Sequence, residues 1–142
     1  MTLSSTSLAL SAVFATMLLA QGCVANRVDL IATKAVTVQT EQSSKFYFLP
    51  PTVAIEDGTF VVLGQIRRQP SFSGEVRGHV DVVVVSEKGE ELKRLKASLW
   101  QQWIPIRGSR QSGYSVRTRW NPPPGSMVRL SYREHPHEDN PE

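Results

Sequence analysis

Residues 76–86 read VRGHVDVVVVS. Four consecutive valines are too many for a strand with one wet face; they suit a strand buried on both sides. The stretch therefore predicts a central strand of a β-rich domain, and its surroundings agree. Ser86-Glu87-Lys88-Gly89-Glu90 follows as a glycine-containing loop of hairpin length. Upstream, residues 59–67 (TFVVLGQIR) are rich in β-branched and aromatic side chains. Downstream, residues 112–120 (SGYSVRTRW) put Tyr114, Val116, Thr118 and Trp120 on one face, and residues 127–133 (MVRLSYR) do the same with Val128, Leu130 and Tyr132. Asn121-Pro122-Pro123-Pro124-Gly125 lies between these two runs and cannot be regular structure. Read as a hairpin connection, it pairs Val116 with Leu130 and Tyr114 with Tyr132, and sets Arg117 opposite Arg129. Shorter strands at 46–49 and 52–56 flank Pro50-Pro51.

Residues 90–103 (EELKRLKASLWQQW) admit two readings. Leu92, Leu95, Leu99, Trp100 and Trp103 form a helical stripe, and Glu90 and Glu91 would favour a helix N-terminus. The preceding loop has hairpin character and the neighbouring segments are strands. We read the segment as a strand ending near Trp100, with a helix as the alternative.

The chain has 142 residues, enough for one domain. Its 40% hydrophobic and 20% charged residues exclude disorder along the whole length. One cysteine excludes an internal disulfide framework and any multi-cysteine zinc site. There is no G-x-S-x-G, H-E-x-x-H, P-loop or G-x-G-x-x-G, and no carboxylate pair stands out for acid–base work. The expectation is a non-enzymatic protein without a cofactor. Short strands separated by Gly and Pro turns point to an all-β fold, an antiparallel β-sandwich of about seven strands over residues 46–133. The run GHVDVVVVSEKGEEL with the following strand, the PPPG turn and VRLSY resembles the second half of periplasmic immunoglobulin-like and transthyretin-like modules. The likeness is architectural and does not carry a function.

Residues 1–22 contain no charged side chain, and residues 8–20 (LALSAVFATMLLA) form an apolar run of secretory length, short for a bilayer span. The run ends in Ala20-Gln21-Gly22-Cys23. This resembles the lipobox of bacterial lipoproteins, in which small residues precede a cysteine that receives a diacylglyceryl thioether and becomes the mature N-terminus. The resemblance implies a cleaved signal peptide over 1–22 and lipidation of Cys23. Several acyl chains then give stable anchoring where one would be marginal. Val24, standing where an aspartate would imply inner-membrane retention, implies the outer membrane, with the protein facing the periplasm. Residues 23–45 are polar with few large side chains, and we read them as the lipidated N-terminus and a tether, with room for one strand at 34–39. Residues 134–142 (EHPHEDNPE) carry four acids and two prolines and read as a disordered acidic tail.

The charge is unevenly placed. The net charge is +3, yet nine basic residues and no acid lie between Leu92 and Arg133. By alternation Arg117, Arg119, Arg129 and Arg133 face away from the apolar side of their strands, a candidate surface for an anionic polymer or an envelope protein. A solvated face whose arginine methylenes cover the sheet is the plainer reading of the same residues. Nucleic acid is a poor partner for an exported lipoprotein. His135 and His137, two residues apart with carboxylates nearby, are lesser candidates for a metal, and Cu²⁺ or Ni²⁺ would suit them best. Three functions are thus in view: a lipid-anchored interaction or structural module of the envelope, an anion- or envelope-polymer-binding protein, and a periplasmic metal-binding protein.

Overall fold

In the computed structural model, residues 26–41, 43–74, 77–104 and 107–135 are described. Residues 1–22, Cys23, His137 and the remainder of the tail from 136 lie outside them. The described chain is all-β, with nine strands where about seven are predicted. They are β1 (Arg27–Asp29), β2 (Val36–Thr40), β3 (Phe46–Phe48), β4 (Thr52–Glu56), β5 (Thr59–Arg68), β6 (Arg77–Val85), β7 (Glu91–Trp103), β8 (Gln111–Thr118) and β9 (Ser126–Glu134). They form one curled sheet in the order β1-β4-β5-β8-β7-β6-β9-β2, with β3 paired to the far end of β5.

The two extra strands come from the N-terminal segment. Residues 23–45 are not a tether throughout, because β1 pairs with β4 and β2 pairs with β9. Both are edge strands and one is only three residues long, which is why their sequences look polar. Leu30 and Val36 nevertheless reach the core. At the other end β9 runs through Glu134, and the His135 amide donates to the Arg77 carbonyl. The sheet thus reaches into what was read as tail.

Local chemistry explains most of the turns. Asp57 and Gly58 both have positive φ (48° and 78°), the two-residue turn that matches strand twist, and they join β4 to β5. Pro50-Pro51 cannot continue a ladder, so the chain along this edge of β5 is split into β3 and β4. Gly89 (φ 84°) closes the β6–β7 hairpin.

The segment read two ways is a strand, and it runs past Trp100 to Trp103. Its stripe divides between the two faces: Leu95, Ala97 and Leu99 join the core, while Leu92 and Trp100 are exposed. The first part of β7 pairs with β6, whereas Leu99 pairs with Tyr114 of β8. Register shifts between Arg77 and His79 and between Val84 and Val85 bend β6 against it. One long strand therefore carries the sheet around its corner.

The two-sided burial predicted from the four valines of residues 76–86 is present. Val80, Val82 and Val84 point into the core, and Val83 and Val85, on the outer face, are buried as well. On that face Val83 sits between Arg94 of β7 and Arg129 of β9. Phe60, Val62, Ile66, Tyr114, Leu130 and Tyr132 complete the interior. Arg68 is also fully buried, its guanidinium donating to the carbonyls of Gly74 and Ile104 beside the Phe72 ring.

The β8–β9 hairpin does not form. β8 pairs with β5 and β7, and β9 with β6 and β2. Asn121–Gly125 is instead a crossover between two parts of the sheet, tied down by the Gly125 amide on the Ala35 carbonyl and the Ser126 hydroxyl on the Pro123 carbonyl at 2.6 Å.

Candidate functional site

The most densely charged part of the structure is the outer face of β7, β6, β9 and β2. Alternation along these strands and their register place the residues in rows. Ser98, His79 and Arg133 form one row; Lys96, Asp81 and Ser131 the next; Arg94, Val83, Arg129 and Gln39 the third. Asp81 stands at the centre. Its side chain is 15% exposed, and its carboxylate accepts from Arg94 at 3.1 Å and from His79 Nε2 at 3.1 Å, with Arg133 Nε at 3.7 Å. Arg94 also binds Glu91 at 2.8 Å, and that hydrogen bond holds the Glu91 carboxyl below its ordinary range. Arg133 reaches Glu41 at 3.8 Å.

His79 lies on β6 with its ring against that of His135, centroids 5.1 Å apart. Its Nδ1 is buried and makes no hydrogen bond among the described residues. Burial, and then the Lys96 charge, push its pKa down; Asp81 opposes them. Nε2 donates to the Asp81 carboxylate.

The four arginines singled out in the sequence do not form one face. Arg129 and Arg133 are on β9, within the charged rows. Arg117 is on β8, opposite Val61 of β5, and pairs with Glu56 at 3.0 Å; Glu56 also holds Arg27 at 3.5 Å. Arg119 is exposed just past the end of β8. The expected opposition of Arg117 and Arg129 is absent, because β7 and β6 stand between their strands. Arg94 and Lys96 take the places beside Arg129 and Arg133. Sequence reasoning left them out because their segment fitted a helix as well as a strand, and only the strand register brings them to β6.

Among the described residues no group of three or more His, Cys, Asp or Glu side chains is arranged to hold a metal ion. His135 meets His79 rather than standing alone on a tail, while His137 and Cys23 lie outside the described residues. No protein-family model, curated protein or solved structure matches the chain.

Chemically, the charged face is a set of cations around a carboxylate that engages three of its neighbours. Arg129 and Lys96, flanking that centre, carry charge with no ion-pair partner among the described residues.

Proposed function

We propose that this chain is a lipid-anchored, non-enzymatic interaction or structural module of the bacterial envelope, held through Cys23 on the periplasmic side of the outer membrane. The observation that carries the reading is Ala20-Gln21-Gly22-Cys23 behind an uncharged apolar segment, with the chain's sole cysteine where the lipid chemistry needs it. The fold adds a consequence: β1 begins at Arg27, so the folded domain would stand close to the bilayer rather than at the end of a long tether. The immunoglobulin-like sandwich belongs to the same proposal. It is supported by β7 passing from one part of the curled sheet to the other over a shared core.

Mass spectrometry of the membrane fraction tests the anchor. A diacylglyceryl group on Cys23 is expected, and Cys23→Ser should leave the protein uncleaved or free of the membrane. A soluble product with an unmodified cysteine overturns the reading.

A second reading, binding of an anionic envelope polymer, is favoured by Arg94, Lys96, Arg129 and Arg133 meeting on one face. Such binding should weaken with added salt and on changing Lys96 and Arg129 to Gln. Insensitivity to both excludes it.

A further inference from the structure

Trp100 is 66% exposed, the largest apolar side chain so displayed among the described residues. It stands on the outer face of β7, and its six-membered ring lies flat over Gly113 of β8. A Cβ at Gly113 would come within 2.5 Å of Trp100 Cε3 and 2.7 Å of Cζ3. Only glycine leaves room for the indole to rest directly on the backbone. One face of the ring is thus pressed against the sheet and the other is offered to solvent.

The surroundings of this ring are mostly polar, the half-buried Leu63 of β5 being the apolar exception. Gln65 of β5 pairs with Gly113, and Gln111 lies two residues before it on the same face of β8. Gln111 pairs with Arg67, and Arg67 in turn with Tyr47 of β3. Gln65 and Arg67 are exposed, Gln111 and Tyr47 half-buried. Among the described residues no side-chain hydrogen bond or ion pair engages any of the four, in contrast to Arg94, Arg117 and Arg133. The strip therefore runs from one aromatic, across two amides and a guanidinium, to a second aromatic.

We propose that this strip is a glycan-binding face, with Trp100 as its stacking platform and with sugars carrying carboxylates as its ligand. A pyranose ring presents C–H bonds on its flat side and hydroxyls around its rim. A rigid indole matches the flat side, since an aromatic surface supplies area at little conformational cost. An amide both donates and accepts, so Gln65 and Gln111 match adjacent hydroxyls. Arg67 supplies a planar fork for a carboxylate. A protein partner fits less well. A stable interface needs roughly 800 Å² from each side around an apolar centre, and on the outer face of β8 and β5 around Gly113 the half-buried Leu63 is the one apolar side chain beside Gln65, Arg67, Gln111 and Ser115. The envelope location proposed above says where such a glycan would be met; the face itself stands on independent residues.

The test uses the full chain purified in detergent, co-sedimented with bacterial cell-wall glycan stripped of its stem peptides and coupled to beads, so that the sugar carboxylates are free. A soluble hexamer of N-acetylglucosamine is the neutral probe, followed by tryptophan fluorescence. The wild type should sediment with the wall glycan, and Trp100→Ala should weaken binding at least about tenfold, as expected for a central aromatic anchor. Gly113→Ala, which lifts the indole off the sheet, should weaken it while circular dichroism stays that of the wild type. Arg67→Gln should weaken binding to the wall glycan and leave the neutral hexamer unaffected. Absence of binding to the wall glycan, or binding that survives Trp100→Ala, overturns the proposal; in the latter case the indole only shields the Gly113 backbone. Equal loss of both probes on Arg67→Gln overturns the carboxylate assignment. None of these results depends on whether Cys23 is lipidated.

Discussion

Tyr114 lies across Gly64, its partner on the neighbouring strand, so closely that a Cβ on Gly64 would fall 2.5 Å from the phenol oxygen. Tyr132 covers Gly78 diagonally, from two residues before its partner Glu134; its phenol oxygen lies 2.6 Å from where a Cβ would be, and the Arg133 backbone carbonyl lies closer still. Both rings are interior, and each fills the space its glycine leaves. Aromatic cover of this kind lets a sheet curl sharply without opening a void at the bend. Neither hydroxyl hydrogen bonds among the described residues, and burial pushes both phenols well above the ordinary tyrosine range.

Gly64→Ala should therefore overpack the interior and cost about 1–3 kcal/mol, read as a lower urea midpoint at unchanged slope. Adding Tyr114→Phe removes the nearest atom of the clash and should recover part of the loss. Strict additivity of the two changes would show that the contact is not the cause.

Val82→Asp and Val84→Asp should each abolish folding. Both valines are fully buried in the core, Val82 in register with Leu95 and Leu130; Val84 has Val128 on β9 and Lys93 on β7 as partners, and one half-buried ammonium does not offset the desolvation of a carboxylate there. Val83→Asp is the contrasting case: it points outward between Arg94 and Arg129 and should retain the fold. Circular dichroism and a thermal melt separate the three.

Asp81→Asn takes the anion from the centre of the charged rows and leaves Arg94, Lys96 and Arg133 facing one another. For a largely buried carboxylate accepting charged hydrogen bonds we expect a loss of about 1.5–3 kcal/mol, and more at low salt than at high. A stability change indifferent to salt would deny the electrostatic origin.

Much of this architecture was legible in residues 76–86 and in the alternation on either side of them, because burial on one or both faces writes itself into a period of two. Strand partners were not legible. The β8–β9 hairpin was inferred from sequence proximity, yet three prolines at 122–124 span a crossover as readily as a turn. Of the N-terminal strands, β2 falls where the sequence leaves room for one at 34–39, and β1 was hidden because a three-residue edge strand needs few apolar side chains. Of the charged face, Arg129 and Arg133 could be placed from alternation alone. Arg94 and Lys96 could not, since their segment fits both periods until β6 is known to lie beside it.

Acidification should weaken the fold through His79. Its folded pKa is depressed, first by burial and then by Lys96, with His135 adding to the effect and Asp81 opposing it; Arg133 and Ser98 complete its cross-strand neighbours. The unfolded ring, near the ordinary value of 6.5, binds protons more readily than the folded one. Stability contributed by the neutral ring is thus full above pH about 6.5 and falls as pH drops toward the folded value. The melting temperature should decline over that window in the wild type and decline less in His79→Gln. A variant with the same slope would place the titrating group elsewhere.

The parallel pairing of β2 with β9 has a consequence for the order of assembly. Val36 and Ser126 are partners although 90 residues separate them. A chain that emerges N-terminus first presents β2 early, yet the strand that completes it comes last. Until β9 arrives, β2 is an open ladder with nothing in the sheet to occupy it. Closing so long a loop is slow compared with forming the β4–β5 and β6–β7 hairpins, so these should be in place first and await the end of the chain. Loss of the last strand would then strand the first as well: a truncation before Ser126 should release β2 and bare the outer edge of β6 together, so that at this end of the sheet the edge of β6 and both sides of β2 lie open where the finished protein leaves only the outer side of β2.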